Sequence, residues 1–429
     1  MDTIFARSTA PGRAGVAVIR VSGPRAWDAV QRLTQADPPR PRQASLRNIW
    51  SNEDLIDQAI VVVFEEGRSF TGEAVAEFQV HGSEAVVRAV LSALRALDGA
   101  RDAAPGEFTR RALENDRMDL AEVEGLGALL VAETEAQRRQ AMRVLSGGLR
   151  QSAARWRGQL VRASAELEVT VDFADEEVPQ DVGPELASRL RQLAGEMAAE
   201  SAGARAAERI AQGFEVAIVG APNAGKSTLL NRLSGREAAI TSEIAGTTRD
   251  IVEVRMEIAG QLVTLLDTAG IHDSDDTVER LGIERARERA GTADLRVFLD
   301  EVPPGMEAQA GDLVVKGKCD LSDRVPTGGL AVSGLTGAGI DPLLEEIGKA
   351  LESRVLGAGL AITERQAEAL DRAAGALAEA ADVLGHWPSR PELAAEMVRA
   401  ALVGLEELLG RIGVEDVLGD IFSEFCIGK

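Results

Sequence analysis

Cysteine is scarce in this chain of 429 residues: only Cys319 and Cys426 occur, far apart in the sequence. That excludes a disulfide framework and a cysteine zinc site. No run of about 18 uninterrupted apolar residues is present, so no membrane-spanning helix is expected. The start, Met1-Asp2-Thr3-Ile4, lacks the basic residues and apolar stretch of a secretory leader, and a cytoplasmic location is the expectation. Positive charge is also in deficit, with 47 Lys and Arg against 69 Asp and Glu and a formal net charge of −22. This balance argues against a protein that coats nucleic acid by bulk electrostatics. A local basic surface stays open at Arg138, Arg139, Arg143, Arg150, Arg155 and Arg157, although solvated helix faces are the simpler reading of that stretch. Tyrosine is absent, which alongside the high Ala and Arg content reflects codon bias and carries no functional meaning.

Hydrophobic residues make up 45% of the chain, enough to bury real cores. The length exceeds one ordinary core, and about two to three domains are expected. Residues 1–116 mix β-branched runs, Gly15–Val21 and Ala59–Phe64, with helical patterns such as Ala85–Leu97, as in an α+β domain. Across 117–211 the pattern becomes long amphipathic helix. Leu149, Ala153, Trp156, Leu160, Ala163, Leu167 and Val171 recur at steps of three and four and keep one face apolar. Helical spacing returns over 356–429, where Leu370, Leu377 and Leu384 stand seven apart. Between these stretches, 212–355 alternates strands and helices. Its strand runs are Phe214–Val219, Ile251–Ile258, Leu262–Leu266, Leu295–Leu299, Leu313–Val315 and Leu330–Val332. Ala259-Gly260-Gln261 turns the second into the third. The expected architecture is an α+β N-terminal domain, then an all-α domain interrupted by an inserted α/β domain with a mostly parallel sheet.

The inserted domain carries the clearest chemistry. Gly220-Ala221-Pro222-Asn223-Ala224-Gly225-Lys226-Ser227 matches G-x-x-x-x-G-K-[ST] directly after an apolar strand and before the helical Thr228–Leu233. Glycines let the backbone wrap phosphates at a helix N-terminus, Lys226 adds positive charge, and Ser227 offers a hydroxyl to Mg²⁺. Asp267-Thr268-Ala269-Gly270 ends the next apolar run, as a Mg²⁺-side aspartate and a γ-phosphate-sensing glycine should. Gly246-Thr247-Thr248 lies between the two motifs, where a switch segment would give Thr248 to Mg²⁺.

Base recognition is less regular. Lys318-Cys319-Asp320 resembles the Asn-Lys-x-Asp guanine motif, but its first position is Gly317. Asp320 can accept two hydrogen bonds from the guanine edge, and the stem of Lys318 can lie over the ring. The missing amide removes one purine contact and a tie to the phosphate loop, so guanine preference with weakened affinity is expected. Ser333-Gly334-Leu335 falls where a backbone N–H would meet the guanine carbonyl. The position after Gly270, where many small GTPases place a water-orienting Gln, is Ile271, which cannot orient water. Another group must do so, and His272, Asp273, Asp275, Asp276 and Glu279 are near in sequence.

Together with further segments, these motifs resemble the MnmE (TrmE) family of bacterial tRNA-modification GTPases over essentially the whole chain. The further segments are Thr3-Ile4, Pro11-Gly12-Arg13, Arg20-Val21-Ser22-Gly23, Phe70-Thr71-Gly72-Glu73, His81-Gly82, Pro105–Thr109, Asn115–Leu120, Ile244–Asp250 and the terminal Phe425-Cys426-Ile427-Gly428-Lys429. The resemblance implies an N-terminal domain that binds 5-formyl- or 5,10-methylene-tetrahydrofolate and forms a homodimer. Its folate contacts would be Arg20, Glu77, Arg117 and Lys429. A buried structural ion pair is the alternative for Arg20 and Glu77. It also implies a K⁺ ion beside the phosphates, held by Asn223, Ser242, the Ile244 backbone and Thr247, with Glu243 and Ala245 in the same nucleotide-binding segment. Glu279 would orient the attacking water. The implied pathway adds an aminomethyl or carboxymethylaminomethyl group to carbon 5 of a tRNA wobble uridine, with a FAD-binding partner, MnmG (GidA), in a heterotetramer. Cys426 is then a candidate nucleophile, or a small terminal thiol whose reactivity requires a lowered pKa. Two other readings stand beside this one. A ribosome-assembly or other RNA-linked switch GTPase would carry an RNA-binding module with a basic face. A folate aminomethyltransferase with an inactive nucleotide domain would fit Gly317 but not intact Lys226, Ser227, Thr248 and Asp267.

Overall fold

The structure, a computed structural model, describes residues 2–172, 182–236, 239, 253–267, 289–304, 306–321, 329–355, 357–385, 390–410, 419, 421–422, 425 and 428. The chain divides into two compact units, Met1–Gly127 with Glu406–Lys429, and Ala128–Leu405.

The first unit contains β1 (Thr3–Arg7), β2 (Ala14–Ser22), α1 (Ala26–Thr34), β3 (Ser45–Ser51), β4 (Asp54–Phe64), β5 (Val75–Gly82), α2 (Glu84–Arg95), β6 (Ala100–Asp102) and α3 (Glu107–Glu114), and α4 begins at Leu120. Its sheet runs β3-β4-β5-β2-β1-β6, antiparallel except where β1 meets β6. Period-two alternation sorts the strand residues onto two faces. Phe5, Ile19, Val21 and Phe78 pack with Val30, Leu33, Val90 and Leu94 of α1 and α2. On a separate core, Ile4 and Ala6 pack with Phe108 of α3.

An ionic network is buried in this unit. Arg111 donates to Glu73 at 3.0 and 3.1 Å, to Asp2 Oδ1 at 2.7 Å and to Glu107 Oε1 at 3.1 Å. Ser22 Oγ donates to Glu73 Oε2 at 2.6 Å. Arg111 and Glu73 side chains are each 9% exposed, so neither charge has much water to fall back on. Burial opposes ionisation of Glu107, but hydrogen bonds from Arg101, the Ala104 N–H and Arg111 outweigh it and hold the carboxyl below its ordinary range.

The second unit combines helices with a second sheet. After α4 (Leu120–Leu130) come α5 (Glu135–Leu145), α6 (Gly148–Asp172) and α7 (Val182–Gln212). Leu149, Ala153, Trp156, Leu160, Ala163 and Leu167 are all buried, as the spacing along α6 requires. Trp156 Nε1 donates to Glu196 Oε2 at 3.0 Å, so its indole is buried without losing a partner. The sheet elements are β7 (Phe214–Gly220), α8 (Lys226–Ser234), β8 (Glu253–Ile258), β9 (Gln261–Asp267), β10 (Leu295–Leu299), β11 (Leu313–Lys316), β12 (Leu330–Ala331) and α9 (Ile340–Val355). They are followed by α10 (Glu364–Gly385), which packs along α7, and α11 (Pro391–Leu408). Leu370, Leu377 and Leu384 lie on the buried face of α10. The sheet order is β12-β11-β10-β7-β9-β8, parallel except for β8, which returns through Ala259 (φ 51°) and Gly260 (φ 79°). Two successive left-handed residues are what a tight hairpin of this twist needs. The architecture is the expected multidomain one, with mixed-sheet, helical and P-loop α/β parts.

Removing one partner of the buried pair tests this network. Glu73→Ala leaves the Arg111 guanidinium without its principal buried carboxylate and is expected to cost about 3–5 kcal/mol in urea unfolding of the full chain. Glu107, with its depressed carboxyl, contributes stability that is present above its ordinary value of 4.5 and lost as pH falls through the lower folded value. Wild-type stability should therefore fall on acidification below about pH 4, and less so in Glu107→Gln.

Candidate nucleotide site

Four parallel strands end side by side. Leu299 of β10 lies opposite both Gly220 of β7 and Val315 of β11, and Ile218 of β7 lies opposite Asp267 of β9. This register brings the phosphate loop, Asp267, Asp300 and Gly317 to one edge, the carboxyl edge at which open α/β sheets bind ligands. Gly220 is dictated by close packing: a Cβ there would come within 3.1 Å of both Leu299 Cβ and the Leu299 carbonyl. Asn223 (φ 62°) and Gly225 (φ 102°) take left-handed conformations that turn the loop back onto itself, and Gly225 becomes the N-cap of α8. The N-terminus of α8 thereby faces the loop interior with its partial positive charge.

Lys226 is 6% exposed, and its ammonium donates to the carbonyls of Gly220 at 2.8 Å and Ala221 at 3.0 Å. Burial lowers its pKa below the ordinary lysine value, while the Asp267 charge opposes that shift. Among the described residues, the ammonium's hydrogen bonds at the loop mouth go to these two carbonyls. Ser227 Oγ donates to Asp267 Oδ2 at 2.8 Å. Asp267 Oδ1 is buried and has no hydrogen-bond partner among the described residues. A hydroxyl beside a carboxylate with an unused oxygen fits a hard divalent cation such as Mg²⁺, which takes oxygen donors directly or through water.

Beside the loop is a cavity of about 260 Å³, lined by Ala224, Gly225, Thr228, Leu229, Leu299, Gly317, Lys318, Asp320, Leu321, Val332, Ser333, Gly334 and Leu335. Lys318, Asp320 and Ser333–Leu335, all assigned to base recognition from sequence, line this one space. Gly334 permits the approach, since a Cβ there would lie 2.7 Å from the Leu229 nitrogen. Cys319 N–H donates to the Val332 carbonyl at 3.1 Å, and Val332 N–H to the Lys316 carbonyl at 2.8 Å, which hold the two lining segments together.

In the first unit, Arg20 of β2 lies directly across from Glu77 of β5, and Nε donates to Oε1 at 2.9 Å. The guanidinium sits 5.4 Å from the Phe70 ring centroid and 5.6 Å from that of Phe108. Arg117 follows the turn at Asp116 (φ 53°), and its stem approaches Gly72, where a Cβ would lie 3.2 Å from Arg117 Cγ and 2.9 Å from Asn115 Cβ. Asn115 Nδ2 donates to the Thr71 carbonyl at 2.7 Å, so the segments Phe70–Glu73 and Asn115–Leu120 are packed together. Gly428 also returns to β1: Ser8 Oγ donates to its carbonyl at 2.9 Å, and a Cβ on Gly428 would collide with the Arg7 carbonyl.

Ser242, Glu243, Ile244, Ala245, Gly246, Thr247, Thr248, Thr268, Ala269, Gly270, Glu279, Cys426 and Lys429 lie outside the described residues. Three participants drew no role from sequence reasoning. Arg111 was not singled out and Glu73 entered only within the segment Phe70-Thr71-Gly72-Glu73, and their burial is what marks them. Asp300, whose carboxylate accepts the Gly317 N–H at 3.2 Å, carries a readable signal: an acid directly after a buried parallel strand, at the edge where ligands bind.

The model of the MnmE helical domain matches residues 120–426, and that of the GTP-binding protein TrmE N-terminus matches residues 3–117. Proteins called tRNA modification GTPase MnmE from two strains of Cereibacter sphaeroides are 56% and 55% identical to this chain, each over 100% of both sequences. One of the same name from Ruegeria pomeroyi is 53% identical, again over 100% of both. No helix among the described residues is long and apolar enough to cross a membrane. The chain belongs to the MnmE family and is a GTPase linked to tRNA modification.

Proposed function

We propose that this GTPase is K⁺-stimulated and works with a FAD-binding partner of the MnmG type to add an aminomethyl or carboxymethylaminomethyl group to carbon 5 of the wobble uridine in certain tRNAs. The observation that carries this reading is a phosphate loop with Asn223 at its turn and Lys226, Ser227 and Asp267 in place, within a chain more than half identical end to end to tRNA-modification GTPases. Lys226 would leave the Gly220 and Ala221 carbonyls for the phosphates, and Ser227 would hold Mg²⁺ together with Thr248. The exposed Asn223 amide is a neutral oxygen donor of the class K⁺ takes, and Ser242, the Ile244 carbonyl and Thr247 would complete its set. A monovalent ion there supplies positive charge to the transferring phosphoryl group, the task an arginine finger performs elsewhere. Glu279 would orient the attacking water, a role Ile271 cannot take.

The first unit would hold the one-carbon donor, a tetrahydrofolate derivative. The Glu77 carboxylate could accept a pair of pterin N–H donors while paired with Arg20, whose guanidinium lies near the Phe70 and Phe108 rings. Arg117 and Lys429 would meet acceptor groups of the folate, and the docking of Gly428 on Arg7 and Ser8 supports placing the tail in this unit. The protein would act as a homodimer within a heterotetramer containing the flavoprotein, in the cytoplasm.

Four measurements test the proposal. Lys226→Ala should weaken GTP binding about a hundredfold in calorimetric titration, the loss of charge-assisted contacts to phosphate. GTP turnover should be about tenfold or more faster in K⁺ than in Na⁺, and equal rates would remove the ion assignment. Glu279→Ala should lower turnover about a hundredfold with GTP affinity retained. The pathway itself is tested by mass spectrometry of tRNA nucleosides from a deletion strain: modified wobble uridine should vanish and return with the wild-type chain. Unchanged modification in the deletion strain would refute it.

A further inference from the structure

The guanine motif of this chain lacks its first residue, and the structure shows what stands at that place. Gly317 does not have a positive φ, so backbone conformation does not demand glycine there. Space favours it: a Cβ on Gly317 would lie 3.1 Å from the Ala224 carbonyl of the phosphate loop, a tight contact, and 3.4 Å from Asp300 Oδ2, an ordinary one. The volume a side chain would enter is bounded by the loop backbone on one side and a carboxylate on the other.

Asp300 reaches that position by leaving the strand. Its N–H still donates to the Val315 carbonyl at 2.8 Å, continuing the β10–β11 ladder. In a parallel ladder the carbonyl of the same residue would next accept the N–H two positions further along the partner, which is Gly317. Asp300 instead turns into the left-handed region (φ 73°), and its side-chain Oδ1 accepts the Gly317 N–H at 3.2 Å. Lys316 Nζ meets the same oxygen at 2.7 Å. A left-handed conformation is tolerated by Asp and Asn far better than by other side chains, which limits what could do this work.

We infer that Asp300 is a positioning residue for guanine selectivity: its carboxylate anchors the Gly317 backbone from below and so sets the Lys318-Cys319-Asp320 segment against the base cavity. It anchors the motif's backbone to the end of β10 and does not restore the missing amide's tie to the phosphate loop. Being an acceptor only, it cannot replace an amide's donation to the purine. The neighbouring anchors of the segment, Cys319 N–H to Val332 and Leu321 N–H to Lys318, are backbone bonds, whereas the one at Gly317 depends on a side chain. This inference rests on the assignment of the cavity lined by Asp320 to the base.

The test compares GDP with IDP, whose base lacks the 2-amino group that the Asp320 carboxylate would accept. Calorimetric Kd values for both nucleotides are measured on the full chain and on Asp300→Gly, Asp300→Asn and Asp320→Ala. Glycine keeps the left-handed turn without the acceptor, and asparagine keeps both. The preference for GDP over IDP should fall about tenfold in Asp300→Gly, the worth of one hydrogen bond to a charged group. It should stay within about twofold of wild type in Asp300→Asn, although that variant gives up the ion pair with Lys316. A general loss of stability would weaken both nucleotides alike, so an unchanged preference in Asp300→Gly, with Asp320→Ala abolishing it, overturns the proposal. If Asp320→Ala itself leaves the preference unchanged, the base assignment fails and the proposal with it. Should Asp300→Gly not fold, Asp300→Ala against Asp300→Asn gives the same comparison, and equal preferences in those two also overturn it.

Discussion

The close approach of β7 and β10 at their carboxyl ends governs the nucleotide domain. A side chain at Gly220 would crowd Leu299, and this close contact lies where the phosphate loop leaves the sheet. Everything at the edge follows from the resulting register. Asp267 arrives beside Ser227 because β9 pairs with β7 from Phe214 to Ile218. Gly317 arrives beside Ala224 because β11 pairs with β10. Lys226 then joins the Gly220 and Ala221 carbonyls across the loop mouth, so the loop is organised by its own cation. Preorganisation of this kind lowers the cost of ordering the loop when a ligand binds.

The same principle operates with different materials in the first unit. There the order comes from buried charge: Arg111, at 9% exposure, gathers Glu73, Asp2 and Glu107. Ion pairs this deep are expensive to desolvate and are kept together by hydrogen bonds that satisfy their remaining atoms. On the sheet of the same unit, Arg20 and Glu77 face each other, with the Arg20 guanidinium near two aromatic rings. The ion pair is real, and it is also what a polar heterocycle would need, so the structural and ligand-binding readings of these two residues are compatible.

Much of this was legible in the sequence, for identifiable reasons. The strands of the nucleotide domain are short apolar runs bounded by turn residues, and Leu295–Leu299 coincides with β10 residue for residue. The stripe from Leu149 to Leu167 is buried because helical periodicity leaves little choice. Lys318, Asp320 and Ser333 were traceable to one cavity because their order along the chain follows the order of the strand ends. Asp300 was traceable only to the strand edge, as an acid directly after an apolar run; its contact with Gly317 depends on a left-handed turn that no apolar pattern encodes. Arg111 was not traceable: Arg110-Arg111 reads as a solvated pair until Phe108 and Ala112 set the buried face of α3. Gly317 was visible as a departure from a motif, but the neighbour a side chain there would crowd, Ala224, is far away in sequence.

The central claim, that this strand edge assembles one site for phosphate, Mg²⁺ and guanine, is tested most directly by a crystal structure of the chain with a non-hydrolysable GTP analogue and Mg²⁺. The expected result has Lys226 Nζ moved from the Gly220 and Ala221 carbonyls to the phosphates, Mg²⁺ on Ser227, and guanine in the cavity against Asp320. Lys226 still on those carbonyls, with the base bound outside the space between Gly225 and Ser333, would contradict it.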